Sequence, residues 1–568
     1  MPSPEAWRPR AALNPWLLAS GAIALLVVAP LAALAVVAAR GGSDQWAHLV
    51  AYVLPVAARD TFILLAGVGL LATALGAGTA WLVTAYAFPG RGVLSWALLL
   101  PLAVPTYIIA YAYLDLMHPV GPVQTALRAV LGIDSPRDFR LPDVRSTAGC
   151  IVLLGFVLYP YVYLTTRAMF LMQAANLLDV ARTLGLTRGA AFWRVALPLA
   201  RPALAAGLTL VLLETLNDIG ASEFLGVRTM TVSIYSTWIT RADLPGAAQI
   251  ALGMLAIVVA LIALERRARR DRRYANDAQH PRPLTPQPLR GAAASVALAC
   301  GWLPVGVGFV VPAAYLVDAA AARVRLAGVS PAIVQETINT IVVSLLGTAL
   351  ALGCGLLVAY TVRLGRRRAA GILARTASLG YAVPGTVLAI GLLPVITGGD
   401  AVLDAVVAGV GGVSPGLLLL GSGAALVYAY LVRFVGIAAS AIDAGFTRVP
   451  PSLDEAARTL GARSLGRLTR LHLPLVRPMV ATAALLVFVD CMKELPATLL
   501  LRPLGFETLS THLYGEAVRG TYEDAAIAAL LIVAVGLGPV IALARAGRSG
   551  IEVQSSVRLG VPARDVPS

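Results

Sequence analysis

Long apolar segments recur from one end of the sequence to the other, and they decide what the chain can fold into. A helix needs about 20 apolar residues to cross the hydrocarbon core of a bilayer. Only 13% of the 568 residues are charged, whereas an ordinary soluble domain has about 25%. Lipid offers no water to backbone groups, so such segments cross a membrane as helices. The sequence therefore predicts an all-α polytopic membrane protein.

The apolar segments predict twelve transmembrane helices, six in each half of the chain. The third and ninth contain Pro105 and Pro384, in the similar stretches PLAVPTYII and GYAVPGTVL, and we expect both spans to be broken there. The first span is too long for the apolar region of a signal peptide, which has about 7–15 residues. The predicted spans are 16–39, 60–86, 93–115, 147–171, 201–224, 245–265, 292–320, 334–362, 376–398, 415–440, 477–500 and 523–545.

The positions of the basic residues orient these spans. Most of the 45 Lys and Arg residues fall on one side, which we expect to be cytoplasmic together with both termini. The basic, Pro-rich linker 266–291 also lies there; nucleic-acid binding is conceivable, but a tether near anionic lipid fits it better. Six spans precede the linker, so the halves 1–265 and 292–546 form two parallel, pseudo-symmetric repeats. A cytoplasmic tail, 547–568, follows.

One polar loop occurs in both halves, at about 174–200 and 450–476. The copies read LLDVARTLGLTRGAAFWRVALPLARP and SLDEAARTLGARSLGRLTRLHLPLVRP. Three pairs of positions keep one constant offset: Asp179 with Glu455, Gly185 with Gly461, and Pro198 with Pro474. A purely structural loop would account for one copy, but it explains poorly why both keep this spacing.

The local sequence predicts a helix–turn–helix at each loop. Ser452 and Glu455 have the spacing of a capping box, and Pro450 and Pro451 precede the predicted cap. Gly461, like Gly185 in the first copy, stands where a left-handed turn would end a short helix. We expect both loops to lie against the cytoplasmic face.

This pattern resembles the EAA motif of the permeases of ABC importers. The second copy matches it in full, and the first has Asp for Glu and Val for the first Ala. The residues that carry the resemblance are Asp179, Ala181, Gly185, Pro198, Glu455, Ala456, Ala457, Gly461 and Pro474. In that family the loop forms a coupling helix that docks onto a cytoplasmic ATPase.

The resemblance implies partner proteins and assigns ATP binding to one of them. Two loops on one chain would engage two copies of an ABC ATPase, so both permease halves are fused. The chain has no phosphate-binding Gly-x-x-x-x-Gly-Lys-Ser/Thr loop; ATP and Mg²⁺ would be bound by the partner, and this chain would bind no cofactor. A periplasmic or surface substrate-binding protein would contact the outer loops 116–146, 224–244 and 501–522. No nucleic acid is expected.

Spans five and eleven carry polar residues that are costly in a membrane. They occupy matching segments, LETLNDIGASEFL and VDCMKELPATLLL. Two interpretations stay open: mutual neutralisation at helix contacts, or a polar patch on the transport path. The candidate path residues are Glu214, Asn217, Asp218, Asp490, Lys493 and Glu494.

The cargo is indicated only by the flanking segments. KELPATLLLRPLGFETLSTHLY and DIGASEFLGVRTMTVSIY resemble the ferric-iron branch of these permeases, and thiamine, phosphonate and polyamine permeases are the alternatives. Ferric ion prefers oxygen ligands such as carboxylates. No stable metal site is predicted. An ion-coupled secondary transporter is the rival from outside the class; no motif of a membrane enzyme occurs in the sequence.

Overall fold

The computed structural model describes residues 15–41, 46–172, 183, 185–270, 286–365, 368–414 and 416–559. Most of this part of the chain is helical, which confirms the all-α class. The one strand pair among the described residues joins β1 (Tyr86–Ala87) in parallel to β2 (Gln287–Pro288).

The helices are numbered in chain order. The first half contains α1 (Pro15–Arg40), α2 (Trp46–Ala85), α3 (Arg91–Ala97), α4 (Thr106–Leu116), α5 (Pro122–Leu131), α6 (Thr147–Met172), α7 (Gly189–Leu199), α8 (Arg201–Asn217), α9 (Gly220–Phe224), α10 (Met230–Ile239) and α11 (Leu244–Arg270). The second half contains α12 (Ala292–Ala327), α13 (Pro331–Leu364), α14 (Arg368–Ala377), α15 (Leu379–Ala382), α16 (Gly385–Gly409), α17 (Ala424–Phe446), α18 (Pro451–Thr459), α19 (Ser464–Met492), α20 (Pro496–Leu501), α21 (Leu509–Arg519) and α22 (Tyr522–Leu559).

The described helices include ten that are long and apolar enough to cross a membrane, or twelve if two bent pairs each count as one span. One bent pair turns by 91° between Arg91–Ala103 and Thr106–Leu116. Pro384, with ψ 143°, directly precedes α16. Both predicted breaks are confirmed. Proline restricts the residue before it and cannot donate to the preceding turn, so each helix restarts after it.

Two further breaks were not predicted. Spans five and eleven were expected to be continuous to 224 and 500, but α8 ends at Asn217 and α19 ends at Met492. The short helices α9 and α20 follow. Glu494 therefore lies beyond the end of α19 and does not share a helix face with Asp490, although only four positions separate them.

The chain forms two compact units. The first comprises the described residues within Met1–Asp44, Thr237–Leu255 and Thr337–Glu507. In it, α1 packs against α16, where the Pro30 carbonyl approaches Gly391 so closely that a Cβ would clash. Ser20 also donates a 2.8 Å hydrogen bond to Thr361 on α13. The N-terminal helix thus packs with helices of the C-terminal half.

The second unit comprises the described residues within Gln45–Ser236, Ala256–Glu336 and Thr508–Ser568. Its centre is the packing of α2 and α8 against α6. Glycines permit the close approach: a Cβ on Gly76 would lie 2.8 Å from the Tyr159 carbonyl oxygen, and one on Gly207 would lie 2.8 Å from the Cα of Val162. Small residues at helix contacts are typical of membrane bundles.

Candidate functional site

The second copy of the repeated loop folds as a short helix and a sharp turn. Helix α18 begins at Pro451, and Pro450 precedes it with ψ 137°. The predicted capping box at Ser452 is wrong: Pro451 is the first helical residue and Pro450 the cap position, two residues earlier than predicted, so Ser452 lies inside the first turn. The predicted left-handed turn is confirmed, because Gly461 has φ 76°.

The turn closes with two backbone hydrogen bonds. The Gly461 amide donates to the Arg458 carbonyl and the Ala462 amide to the Ala457 carbonyl, each at 3.0 Å. These bonds satisfy carbonyls that the helix end leaves without a partner. The chain then enters α19, which runs through Pro474 into the membrane span without the separate short segment expected from the sequence.

One carboxylate fastens α18 to the rest of its unit. Asp454 lies with Oδ1 2.8 Å from His472 Nε2 and 3.6 Å from Arg467 Nη1. Its Oδ2 accepts from Arg363 Nη2 at 2.8 Å and from Arg363 Nε at 3.0 Å. We call these four residues the Asp454 anchor. They come from α13, α18 and α19, so the anchor ties three helices together.

Backbone groups complete the coordination of Arg363. Its Nη1 donates to the Phe446 carbonyl at 3.1 Å and its Nη2 to the Val449 carbonyl at 2.8 Å. Arg363 therefore fixes the segment that leads into α18 as well as α18 itself. A guanidinium can satisfy a carboxylate and two carbonyls together because its donors form a rigid planar fork.

Aromatic rings enclose the histidine of the anchor. His472 is fully buried, and its ring lies edge-on to Phe446 and Tyr360 at 5.5 and 5.6 Å. Trp16 packs on Tyr360 at 5.0 Å and donates through Nε1 to Ser464 Oγ at 3.2 Å. These rings therefore shield the His472 side of the anchor from water, which strengthens its bond to Asp454.

The electrostatics of Asp454 follow from these contacts. Burial alone would raise the pKa of its carboxyl, but the hydrogen bonds from His472 and Arg363 outweigh burial, and the pKa lies below its ordinary value. Asp454 is therefore ionised at neutral pH.

The other face of α18 is open. Glu455 and Ala456 are exposed, and Ala457 is half-buried. Three leucines extend the exposed surface around them: Leu453, Leu460 and Leu465. Single exposed leucines are ordinary, but several around a carboxylate on one helix and turn form a surface suited to a protein partner. We call Leu453, Glu455, Ala456, Leu460 and Leu465 the docking face.

The first copy of the loop is described only in part. Asp179 and Ala181 lie outside the described residues. Gly185 has φ 82°, which confirms the predicted left-handed turn, and Pro198 is half-buried in α7. Helices α7 and α8 meet at an angle of 73°, whereas α19 has no such bend.

Two of the candidate path residues hold the turns at the unpredicted breaks. Asp218 accepts from the Ser222 amide at 2.9 Å and from the Thr106 hydroxyl. Glu494 accepts from the Ala497 and Thr498 amides at 3.0 Å each and faces Arg433 at 3.3 Å. Both carboxylates are almost fully buried. Each satisfies free amides at a helix start, as N-terminal caps do.

The other four candidates are more accessible. Asp490 and Lys493 form an ion pair of 2.8 Å, and their side chains are 27% and 30% exposed. Glu214 and Asn217 are half-buried near the end of α8. The six candidates thus divide into two buried caps, one half-exposed ion pair and two half-buried polar residues.

Comparison with known families identifies the chain. The family described as "Binding-protein-dependent transport system inner membrane component" matches residues 72–274 and again residues 351–547. Together the matches cover well over half of the sequence, and each contains one copy of the loop. The chain belongs to this family. It is an ABC importer permease with two family domains on one chain, as the duplicated motif predicted. Members of this family are inner membrane components and are not themselves catalytic.

Some relatives align with most of this chain, and others align with less than half of it. The permease is 24% identical over 495 residues to the Fe(3+)-transport system permease protein FbpB 2 of Haemophilus influenzae, covering 85% of this chain and 88% of that protein. It is 24% identical over 497 residues to the probable ABC transporter permease protein y4fN of Sinorhizobium fredii, covering 83% and 84%. A probable molybdenum ABC transporter permease of Haloferax volcanii is 28% identical over 263 residues, covering 46% of this permease and 90% of that protein.

Sequence reasoning missed most of the Asp454 anchor. Arg363 is 91 residues from Asp454 in the chain, and no local pattern links the two. His472 fills the variable position before the final Leu-Pro of the motif. A histidine at an otherwise apolar helix start was a usable signal, since a buried imidazole requires a partner.

Proposed function

We propose that this permease carries ferric iron, delivered by a periplasmic or surface binding protein and driven by a separate ABC ATPase. The observation that carries the cargo proposal is the alignment with a ferric-iron permease of the same fused length, over 85% of this chain and 88% of that one. Permeases with molybdenum or sulfate in their names align with less than half of the chain. Thiamine, phosphonate and polyamine remain the alternative cargoes.

The docking face supports the second part of the proposal. Each loop would receive one ATPase subunit, so a pair of ATPases would engage one permease chain. The Asp454 anchor would then carry force from the ATPase into α13 and α19, because these helices share it with α18. Closure of the ATPase pair would draw the two loops together and turn the permease from inward-open to outward-open.

The orientation follows from the charges. With the arginine-rich side in the cytoplasm, both loops, the linker 266–291 and both termini lie there, and the halves 1–265 and 292–546 enter the membrane in the same sense. The loops 116–146, 224–244 and 501–522 would meet the binding protein on the other side. An ion-coupled secondary transporter would have no use for the docking face.

The transport path would use the polar residues of spans five and eleven. Asp490, Lys493, Glu214 and Asn217 are accessible enough to meet a passing ion. Asp218 and Glu494 would act indirectly, by holding the turns that shape the path.

Reconstitution tests this function. The permease, its ATPase and its binding protein are placed in liposomes, and ATP-dependent uptake is compared for binding protein loaded with ferric ion, thiamine, a phosphonate or molybdate. Uptake and stimulated ATP hydrolysis are expected with ferric ion alone. Stimulation by one of the other cargoes, without a response to ferric ion, would refute the iron assignment and leave the permease assignment intact. Uptake driven by an ion gradient without ATP would refute the energy source.

A further inference from the structure

Glu223 is a carboxylate that neither the motif nor the path candidates use. It lies in α9, directly after the turn that Asp218 holds, and it is half-buried. Among the described residues its side chain bonds to the Tyr514 hydroxyl, and no Lys, Arg or His lies within ion-pair distance. A carboxylate in a membrane protein that lacks a cationic partner is a candidate for contact with a cationic substrate.

Tyr514 contacts this carboxylate, Tyr235 contacts Tyr514, and the internal repeat relates the two tyrosines. Tyr235 ends the segment TMTVSIY and Tyr514 ends the matching segment TLSTHLY. Their rings lie edge to face with centroids 6.5 Å apart. Phe224 stacks on Tyr514 at 5.5 Å. All of these residues lie within the second unit, so each half of the sequence contributes one phenol to the same place.

The repeat supplies two phenols but one carboxylate. Leu499 stands in the second half where Glu223 stands in the first, by the offset that relates the loops. The two halves therefore build one asymmetric cluster of oxygens, not two equivalent clusters. A single cluster suits a single ion passing through the protein.

We propose that Glu223, Tyr235 and Tyr514 form a transient ligand set for a hard trivalent cation, the ferric ion, on its way through the permease. The proposal rests on the proposed iron cargo. Carboxylate and phenol oxygens are hard donors, which such a cation prefers. Three protein ligands leave the rest of the coordination shell to water, and reprotonation of the phenols lets the ion leave, as conduction requires.

Binding of the ion replaces protons of the phenols one for one and involves no electron transfer. In the resting arrangement the Tyr514 hydroxyl donates to Glu223. The arriving ion takes the place of that proton between the two oxygens. Each phenol that binds as phenolate releases one proton to water, and the same number returns when the ion leaves.

A structural tether between α9 and α21 is the competing explanation, and one substitution separates the two. Glu223→Gln keeps an oxygen that accepts from Tyr514 but removes the negative charge. A tether would survive this change with little loss. A cation ligand set would not, since a neutral amide is a far poorer ligand for a trivalent ion.

The first measurement is uptake of radiolabelled ferric iron into liposomes that contain the complete transporter. Glu223→Gln, and Tyr235→Phe combined with Tyr514→Phe, should each lower uptake per hydrolysed ATP by roughly tenfold, equivalent to the loss of about 1.4 kcal/mol. Glu523→Gln, which alters an exposed carboxylate in the first turn of α22, and Tyr113→Phe, which removes a phenol bonded to the Val307 carbonyl, are the controls. Both should transport at the wild-type ratio. An unchanged ratio in Glu223→Gln would overturn the proposal.

The second measurement needs no transport. Terbium, a hard trivalent ion whose emission is sensitised by nearby tyrosines, is titrated into the purified permease–ATPase complex. Saturable emission should appear in the wild type and in both controls and disappear in Glu223→Gln. Emission that does not depend on Glu223 would overturn the ligand set. Glu223-dependent emission in a transporter that does not carry iron would instead refute the iron cargo and retain the cation site.

Discussion

Replacing Asp454 by Asn tests whether the docking face depends on the Asp454 anchor. The amide has the same shape as the carboxylate but carries no charge. Arg363 would keep its bonds to the Phe446 and Val449 carbonyls and lose its charged partner, and His472 would stay buried beside a weaker acceptor. Every other residue of α18 except Ala457 is exposed, so little else holds this helix in place.

The structure sets the size of the effect. Removing one partner of a fully buried ion pair costs about 3–5 kcal/mol. The Asp454 and Arg363 side chains remain 14% and 16% exposed, and water can reach the freed groups. We therefore expect a loss of about 2 kcal/mol, which corresponds to a roughly 30-fold increase in the population in which α18 is detached.

Hydrogen exchange measures this population directly. In Asp454→Asn the amides of α18 should exchange roughly 30-fold faster, and uptake per hydrolysed ATP should fall. Glu455→Gln is the control, since it alters the exposed neighbour: it should weaken ATPase docking and leave exchange in the isolated permease unchanged. Wild-type exchange in α18 of Asp454→Asn would refute the anchor.

The pH dependence has a defined sign. Because the folded pKa of Asp454 is depressed, its stabilisation is fully present above the unfolded value of about 3.9 and is lost as the pH falls through the lower folded value. The difference in exchange between the wild type and Asp454→Asn should stay constant from neutral pH down to about 5 and shrink only below about 4.

Three further substitutions test the turn, a buried pair and the path. Gly461→Val forces a branched residue to φ 76°, which costs about 1–3 kcal/mol, and it should raise the ATP hydrolysed per ion transported. Gly466→Ala, which has open space around it, should leave that ratio unchanged. Equal ratios in the two variants would argue against a role for the turn. Glu494→Gln neutralises a buried partner of Arg433 and should lower the free energy of unfolding by about 3 kcal/mol; an unchanged thermal melting temperature would contradict the pairing. Asp490→Asn breaks a half-exposed ion pair and should alter stability by less than about 1 kcal/mol while reducing iron uptake; normal uptake would remove Asp490 from the path.

Proline explains why some of the breaks in the spans were predictable. Pro105 and Pro384 act through their own rings, so the sequence alone places the breaks beside them. The breaks after Asn217 and Met492 depend instead on Asp218 and Glu494, whose carboxylates accept backbone amides four residues on. In the sequence, these two acids look like charges on the transport path. An acid before a run of small residues is also typical of a helix cap, so the sequence alone does not separate the two roles.

Long-range contacts explain what could not be predicted. The loop motif and its glycine are local, so spacing alone located the left-handed turns at Gly185 and Gly461. The Asp454 anchor draws its cation from Arg363 on another helix, and the contact of Glu223 with Tyr514 joins residues 291 positions apart. Such pairs form when distant helices pack together, and the residue pattern of a single segment does not predict them.

The two loops share a left-handed turn but differ at two positions of the Asp454 anchor. Leu178 and Ala196 stand where Asp454 and His472 stand in the second copy. At these two aligned positions the first copy therefore has neither the carboxylate nor the imidazole of the anchor.

In the first half, aromatic packing holds the helix that follows the turn. Trp81 lies against Phe170 and Phe192 with ring centroids 5.4 and 5.3 Å apart, and Phe192 belongs to α7, the helix that follows the first turn. Apolar packing is insensitive to charge state and salt, whereas an ion network that reaches the surface weakens when either changes. Acidification to below about pH 4 should therefore weaken the Asp454 anchor and leave the packing around Trp81 unchanged. The duplication has kept the turn in both halves, while the positions of Asp454 and His472 hold apolar side chains in the first copy.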